Sequence, residues 1–248
     1  MLKPPKVSII TVCYNAENFL ERTIQSVIAQ TYPNIEYIVV DGASKDNTVA
    51  LIKQYEKHIT RWISEKDQSH FDAMNKGLRL ATGDYIWYMN AGDCIYEAST
   101  LENIVRQSTN EDFIYGDTVI VTEEGMQRDW HKTKPSDKKL SYKSFINGMI
   151  ICHHSMMVKR SKAVEYALEP WKVSNDIDWT IRVLKNCNTY LDTDIIWCKY
   201  LEGGISAKNR MQSVKERFDI ARKHFGLVPT LFEQVKILVQ MMNRGRLS

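Results

Sequence analysis

Residues 85–93, YIWYMNAGD, constrain the fold more than any other stretch of the chain. Five consecutive apolar or aromatic residues give way at once to Asn90-Ala91-Gly92-Asp93. A short apolar run closed by turn residues reads as a central strand buried on both faces, and such a strand needs a layered α/β sheet around it. In open α/β sheets ligands collect beyond the carboxyl ends of the strands. Asn90 and Asp93 are therefore expected at the rim of a site, on a turn that the small residues Ala91 and Gly92 let close. A carboxylate there suits a hard divalent cation bridging phosphate oxygens. A plain turn, with Asn and Asp serving as a helix cap, accounts for the same four residues.

The chain before this run alternates strand and helix. Residues 7–13 (VSIITVC) are apolar and β-branched, as a buried strand requires. After a loop at 14–18, apolar residues recur at helical spacing across 19–30 (Phe19, Leu20, Ile24, Val27, Ile28). Pro33-Asn34 turns the chain into a second apolar strand, 35–40, which ends at Asp41-Gly42. Ser44, Asp46 and Asn47 offer caps for a helix over 48–57. A short strand follows at 60–64, and a helix over 70–81 stops at Thr82-Gly83. Strand, helix, strand, helix, strand at this spacing means βαβ units and a mostly parallel sheet. The fold class is α/β, with a Rossmann-like central sheet flanked by helices.

The second half is less regular. A helix runs from a Ser99 cap to 107 and a strand over 113–122. Residues 127–147 are polar and read as solvated linker or acceptor-facing loop. Apolar residues alternate over 149–158 around His153 and His154. A helix over 174–184 carries Asn175, Asp176 and Asp178 in its first turn, and a strand returns at 190–200. Gly203-Gly204-Ile205-Ser206 reads as a tight turn, and two helices close the chain, the last over 231–242.

Composition enters as a set of exclusions. With 33 basic and 30 acidic residues among 248, the net charge of +3 gives no sign of a nucleic-acid partner. No secretory signal pattern precedes Lys3-Pro4-Pro5-Lys6, and no apolar run approaches the roughly 20 residues of a bilayer span, so a cytoplasmic chain is expected. Five cysteines, odd in number and without a C-x-x-C pair, fit reduced thiols.

Four groups of residues carry chemistry. Tyr14-Asn15 and Asp41 stand after the first and second strands, at neighbouring carboxyl ends, and so converge on one crevice. An aromatic ring there can stack on a nucleobase, and a carboxylate can accept from a base N–H or ribose hydroxyls. A packed tyrosine and a turn-forming aspartate fit the same pattern. No glycine-rich phosphate loop follows the first strand, which removes the usual dinucleotide and nucleoside-triphosphatase signatures. On the third helix Asp72, Asn75 and Lys76 fall at i, i+3 and i+4 and share a face, open to a nucleotide or to solvent. Asp93 is the third group and the Asp176–Asp178 pair the fourth, although two carboxylates in a first turn also simply suit the helix dipole.

Together these blocks resemble the family 2 glycosyltransferases of the GT-A fold, particularly short bacterial enzymes of polysaccharide biosynthesis. The matching stretches are VSIITVCYNAENFLERTIQSVIAQTYPNIEYIVVDGASKDNT, SEKDQSHFDAMNKGLRLATGDYIWYMNAGD, WKVSNDIDW and LEGGIS, across residues 7–206. The resemblance implies that Tyr14, Asn15, Asp41, Asp72, Asn75 and Asn90 surround the nucleotide of a nucleotide-sugar donor, with a UDP-sugar the first expectation. It implies that Asp93 is the final aspartate of a D-x-D-like motif and ligates Mg²⁺ or Mn²⁺. It makes Asp176 the catalytic base, with Asp178 a second candidate. Asn90 stands where the fuller motif has a carboxylate, and Asn175 where many members have glutamate. His153 and His154 match no residue of assigned role.

The organisation implied is a GT-A domain over 1–206, with a nucleotide-binding half at 7–93 and an acceptor-binding half at 94–206, then a helical extension over 207–248. The implied activity is inverting transfer of a sugar to a saccharide acceptor carried on a polyprenyl lipid, in bacterial surface polysaccharide or lipopolysaccharide synthesis. A non-catalytic nucleotide-sugar binding module is the alternative. A sugar nucleotidyltransferase is a further one, but it would want a glycine- and basic-rich loop after the first strand. On the last helix Leu231, Val235, Leu238, Val239 and Met242 fall toward one face, with Lys236, Arg244 and Arg246 nearby. That is the pattern of a helix lying on anionic lipid, here the inner face of the membrane. The same stripe packing on its own domain, or forming a dimer, is the more ordinary outcome for a helix.

Overall fold

The structure, a computed structural model, describes residues 4–122, 125–130, 140–203 and 209–244. The first half runs β1 (Val7–Cys13), α1 (Leu20–Ile28), β2 (Ile35–Asp41), α2 (Thr48–Gln54), β3 (Arg61–Ser64), α3 (His70–Leu80) and β4 (Tyr85–Tyr88). There follow β5 (Cys94–Ile95), α4 (Thr100–Gln107), β6 (Phe113–Val121), β7 (Gln127–Asp129), β8 (Met156–Lys159), α5 (Asn175–Asn186) and β9 (Tyr190–Leu201). The described chain closes with α6 (Arg210–Phe225) and α7 (Leu227–Arg244). Residues 131–139, within the polar stretch, and 204–206, within the expected turn, lie outside the described residues.

The described strands form one sheet in the order β3-β2-β1-β4-β8-β6-β9-β5, with β7 paired to β6. β1 pairs in parallel with β2 on one side and β4 on the other, and β3 continues in parallel from β2. The chain thus winds outward from β1 to β3 and returns on the opposite side of β1. A reversal of this kind, here between β1 and β4, marks the place beyond the carboxyl ends of the strands where such sheets bind ligands in a crevice. Beyond β4 the sheet is mixed. β8 is antiparallel to β4 and β6, β6 and β9 are parallel, and β5 is antiparallel to β9. β5 and β7 had no sequence signal, since one is two residues long and the other, QRD, is polar and exposed.

Alternation along the strands divides the interior into two cores. Ile10 and Val12 of β1 and Ile86 and Tyr88 of β4 join α3, α5 and Ile220 of α6 on one face. Val7, Ile9, Tyr85 and Trp87 join α1, α2 and α4 on the other. α3 lies close on β1 because residue 77 is glycine: a Cβ there would stand 2.4 Å from Ile10 Cγ2. Among the described residues no helix is long and apolar enough to cross a membrane.

Candidate active site

The crevice is framed first by the loops after β1 and β2. Register places Cys13 beside Asp41 and Asp41 beside Ser64. Asp41 is fully buried, and its carboxylate accepts from Ser44 N–H (3.0 Å), Ser44 Oγ and Ser64 Oγ (2.6 Å). Asn15 sits at φ 47°, a left-handed conformation that asparagine tolerates. Its Oδ1 accepts from Lys45 N–H (2.9 Å), and its own N–H donates to Ser44 Oγ (2.8 Å). Asn15 and Asp41 therefore lock these two loops to each other. Tyr14, 63% exposed, is left free at the rim.

α3 contributes from the side. Asp72 Oδ2 accepts from Gln68 N–H (3.0 Å) and lies 3.8 Å from Lys76 Nζ, which also holds Glu65 (2.9 Å) and Asp67 (2.7 Å). The three do not form the open face that their spacing suggests: Asp72 is buried, Lys76 is largely covered by its carboxylate partners, and Asn75 lies deeper still. It is buried, its Oδ1 accepts from Tyr166 N–H (2.7 Å) and its Nδ2 donates to Tyr166 C=O (2.9 Å). Its amide pairs with Tyr166 as a neighbouring strand would, and ties α3 to the loop before α5.

At the end of β4 the turn closes as its residues suggest. Asp93 N–H reaches Asn90 C=O (3.1 Å), Gly92 takes φ 104°, and Thr23 Oγ1 of α1 accepts from Gly92 N–H (2.9 Å) while donating to Asp93 C=O (2.7 Å). Asp93 is 5% exposed. Its Oδ1 accepts from the N–H of Leu201 (2.7 Å), and its Oδ2 lies 3.1 Å from His154 Nδ1. Burial lifts the Asp93 carboxyl to about 8, against the pull of the Leu201 N–H and of Arg22. Burial, with His153 beside it, holds His154 well below the usual imidazole range and hence neutral. His154 joins Asp93 only through the sheet, and nothing local in CHHS signals it.

Asn90 Oδ1 is buried and has no hydrogen-bond partner among the described residues. Two hard oxygens, from Asn90 and Asp93, fit a divalent cation of the kind that takes most of its remaining ligands from phosphate and water. The described residues hold no group of three or more His, Cys, Asp or Glu suited to an all-protein metal cage.

The first turn of α5 separates its two aspartates. Asp178 is fully buried and saturated, with Arg182 Nε at 2.7 Å, Lys223 Nζ at 2.8 Å and His224 Nε2 at 2.9 Å. Burial opposes its charge, but hydrogen bonds from His224, Lys223 and Arg182 prevail and hold its carboxyl well below the usual range. Asp176 keeps part of its surface open and accepts from Ile177 N–H (3.0 Å). Burial lifts its carboxyl to about 6, despite the Ile177 N–H and Arg217. Asn175, Tyr166 and Trp171, before and beside it, each keep a buried polar atom without a partner among the described residues, as do His153 and His154 at Nε2. Groups of that kind are ordinarily satisfied by water, an ion or a polar ligand.

The family 2 glycosyl transferase profile matches residues 8–166, well over half of the chain. The chain belongs to that family. An uncharacterized glycosyltransferase of Mycobacterium tuberculosis is 43% identical over 94 residues, which span 38% of this chain and 36% of that relative's length. A PGL/p-HBAD biosynthesis glycosyltransferase of Mycobacterium bovis is 28% identical over 191 residues, covering 73% and 71% of the two chains. TuaG of Bacillus subtilis, named for teichuronic acid biosynthesis, is 25% identical over 233 residues, covering 89% and 90%.

Among solved structures, Staphylococcus aureus TarS 1–349 in complex with UDP superposes with a TM-score of 0.66 at 17% identity, over 91% of this chain and 73% of that one. The mannosyltransferase PcManGT of Pyrobaculum calidifontis, in complex with GDP-Man and Mn²⁺, gives 0.65 at 17% identity, over 92% and 67%. At such identities the likeness establishes the GT-A fold.

Proposed function

We propose that this chain moves a sugar from a UDP-sugar to a saccharide acceptor, with inversion, using Asp176 as the base. The observation that carries the reading is the contrast within one helical turn: Asp178 is saturated by three cationic or imidazole groups, while Asp176 is partly open and lifted to about 6. A carboxylate of that pKa is ionised at neutrality and still basic enough to take a hydroxyl proton. Asp176 removes the proton as the acceptor hydroxyl attacks the anomeric carbon from the face opposite the departing diphosphate, so a single displacement inverts the centre. Tyr14 stacks on the nucleobase, Asn15 and Asn90 face the nucleotide, and Asp41, Asp72 and Asn75 hold the loops that form its bed. Asn90 and Asp93 are the residues that would hold Mg²⁺ or Mn²⁺, which when bound neutralises charge on the diphosphate.

TarS bound to UDP, and in another crystal to UDP-GlcNAc, supports uridine as the base. The names of the mycobacterial and Bacillus relatives support cell-surface glycoconjugate synthesis. The test is a thermal-shift panel of UDP-, GDP- and dTDP-sugars followed by UDP release with and without an acceptor, since a true ligand stabilises by mass action. Equal stabilisation by GDP and UDP sinks the base assignment. Binding without any acceptor-dependent release supports a non-catalytic module instead.

The acceptor is proposed to be lipid-linked and met at the inner membrane face. Leu227, Val228, Leu231, Phe232, Val235 and Val239 of α7 are all exposed, with Val228 at 78% and Phe232 at 69%. The stripe is thus not packed on its own domain at these positions; the side chains of Leu238 and Met242 lie outside the described residues. Residues 209–248 hold eight basic and three acidic residues, against a net +3 for the whole chain, so the tail is where the positive charge gathers. An exposed apolar stripe on a basic segment suits an anionic bilayer.

A further inference from the structure

The surroundings of Asp176 are contributed by more than its own helix. Glu216 stands in α6, 40 residues later in the chain and 2% exposed. Its carboxylate accepts from three consecutive backbone N–H groups, those of Lys172 (3.0 Å), Val173 (2.9 Å) and Ser174 (2.8 Å), and from Gln212 Nε2 (2.9 Å). Burial opposes the charge, yet these donors hold the carboxyl below the usual range. Ser174, at the N-cap of α5, makes no capping bond with its side chain; its Oγ meets Ser213 Oγ of α6 instead, at 3.0 Å. About two helical turns beyond Glu216 on the same helix, Lys223 and His224 take Asp178. α6 therefore grips the start of α5 at residues 172–174 and again at 178, and Asp176 lies between the two grips.

We propose that α6 is part of the catalytic apparatus, with Glu216 the positioning residue that sets the backbone path into Asp176. The proposal rests on the reading of Asp176 as base. Asp176 is faced by Glu216 and Arg217 from α6, and its charge is felt by Tyr166 before α5, Cys152 before β8 and Tyr200 of β9. Within that set Glu216 pushes the Asp176 carboxyl upward and Arg217, on an exposed side chain, pulls it down.

The experiment uses the full chain without ligand. Aspartate carboxyls labelled with carbon-13 are titrated by NMR, and the Asp176 signal is identified by its loss in Asp176→Asn. Glu216→Gln is expected to move the Asp176 midpoint to lower pH and Arg217→Gln to higher pH. Glu216→Asp, which keeps the charge on a shorter arm, leaves the midpoint near that of the parent. In UDP release from a UDP-sugar with water as acceptor, both Glu216 variants lose about tenfold to a hundredfold in kcat with the donor KM unchanged, the usual cost of a reacting group displaced by about an ångström. Unmoved midpoints in Glu216→Gln and Arg217→Gln, or parental kcat in both Glu216 variants, overturn the proposal. If neither Glu216 variant folds, Arg217→Gln decides: a raised midpoint supports the α6 assignment and an unmoved one overturns it. Full activity in Asp176→Asn overturns the base reading and this proposal with it, whereas an inactive Asp176→Asn with parental kcat in both Glu216 variants overturns this proposal alone.

Discussion

Replacing Asp178 by Asn is the perturbation that best separates structure from chemistry in the first turn of α5. The carboxylate is fully buried and holds Arg182, Lys223 and His224 at 2.7, 2.8 and 2.9 Å. Removing one partner of a buried ion pair costs about 3–5 kcal/mol, because the other charges are left without compensation. Here the Arg182 and Lys223 side chains keep 27% and 47% of their surface open, so water takes up part of the loss. The lower end, about 3 kcal/mol, is therefore expected. For a chain of this size that lowers the melting temperature by about 6–12 °C.

The pH dependence has a definite sign. A carboxyl held below its unfolded value stabilises the fold at pH above that value and loses the contribution as the pH falls through the folded one. The stability gap between parent and variant should hold steady from pH 8 to 6 and close below about 4, the ordinary aspartate range. The assay is thermal unfolding by circular dichroism across pH 2–8, with UDP release measured at neutral pH and a temperature where both proteins are folded. Equal melting temperatures at pH 7 refute the energetic reasoning. A folded but inactive Asp178→Asn beside an active Asp176→Asn moves the base by two residues.

Asp176→Asn is expected to lower transfer by roughly two to four orders of magnitude while the fold survives, and to remove an acidic limb near pH 6 from the kcat profile. Because the Asp176 carboxyl is raised in the folded state, stability falls as pH rises from the unfolded value through about 6, so the variant should gain on the parent between pH 4 and 8 in urea titrations. Asp93→Asn should abolish the extra thermal stabilisation that Mn²⁺ gives in the presence of UDP; unchanged stabilisation removes Asp93 from the metal site. Gly116→Ala places a Cβ 2.2 Å from Trp197 Nε1, a fully buried indole bonded to Thr193 Oγ1 at 2.8 Å, and should cost about 3 kcal/mol in chemical unfolding. Serine at Leu231, Phe232 and Val235 together should abolish flotation with anionic liposomes at low salt; if the parent does not float, or the triple variant floats equally, α7 is not a lipid contact, and loss of a dimer in the variant assigns the face to a second copy.

The parallel half of the sheet is legible in the sequence because its signals are local. Apolar runs mark β1, β2 and β4, helical spacing marks α1 and α3, and the strand ends give Tyr14, Asn15, Asp41 and the Asn90–Asp93 turn directly. What each of those residues touches is not local. Asp41 is engaged by Ser44 and by Ser64 across the sheet, Asn75 by the backbone of Tyr166, and Asp93 by Leu201 and His154. Two carboxylates spaced i, i+2 at a helix start look equivalent in a sequence. α6 makes them unequal by saturating one. The mixed half is poorly legible because short polar strands such as β7 obtain their order from partners rather than from their own residues.

The long reach of these contacts also has a consequence in time. Asp93 waits for Leu201, 108 residues later, and Asn75 for Tyr166, 91 residues later. At the roughly 5–20 residues per second of protein synthesis, the Asp93 interval alone lasts roughly 5–22 s. During it a nascent chain holds the strands that form the crevice but not the backbone groups that fix its carboxylates, and α6 emerges later still. A ribosome-bound fragment that stops short of α6 thus lacks the groups that hold Asp178, and one that stops short of β9 lacks the N–H that holds Asp93.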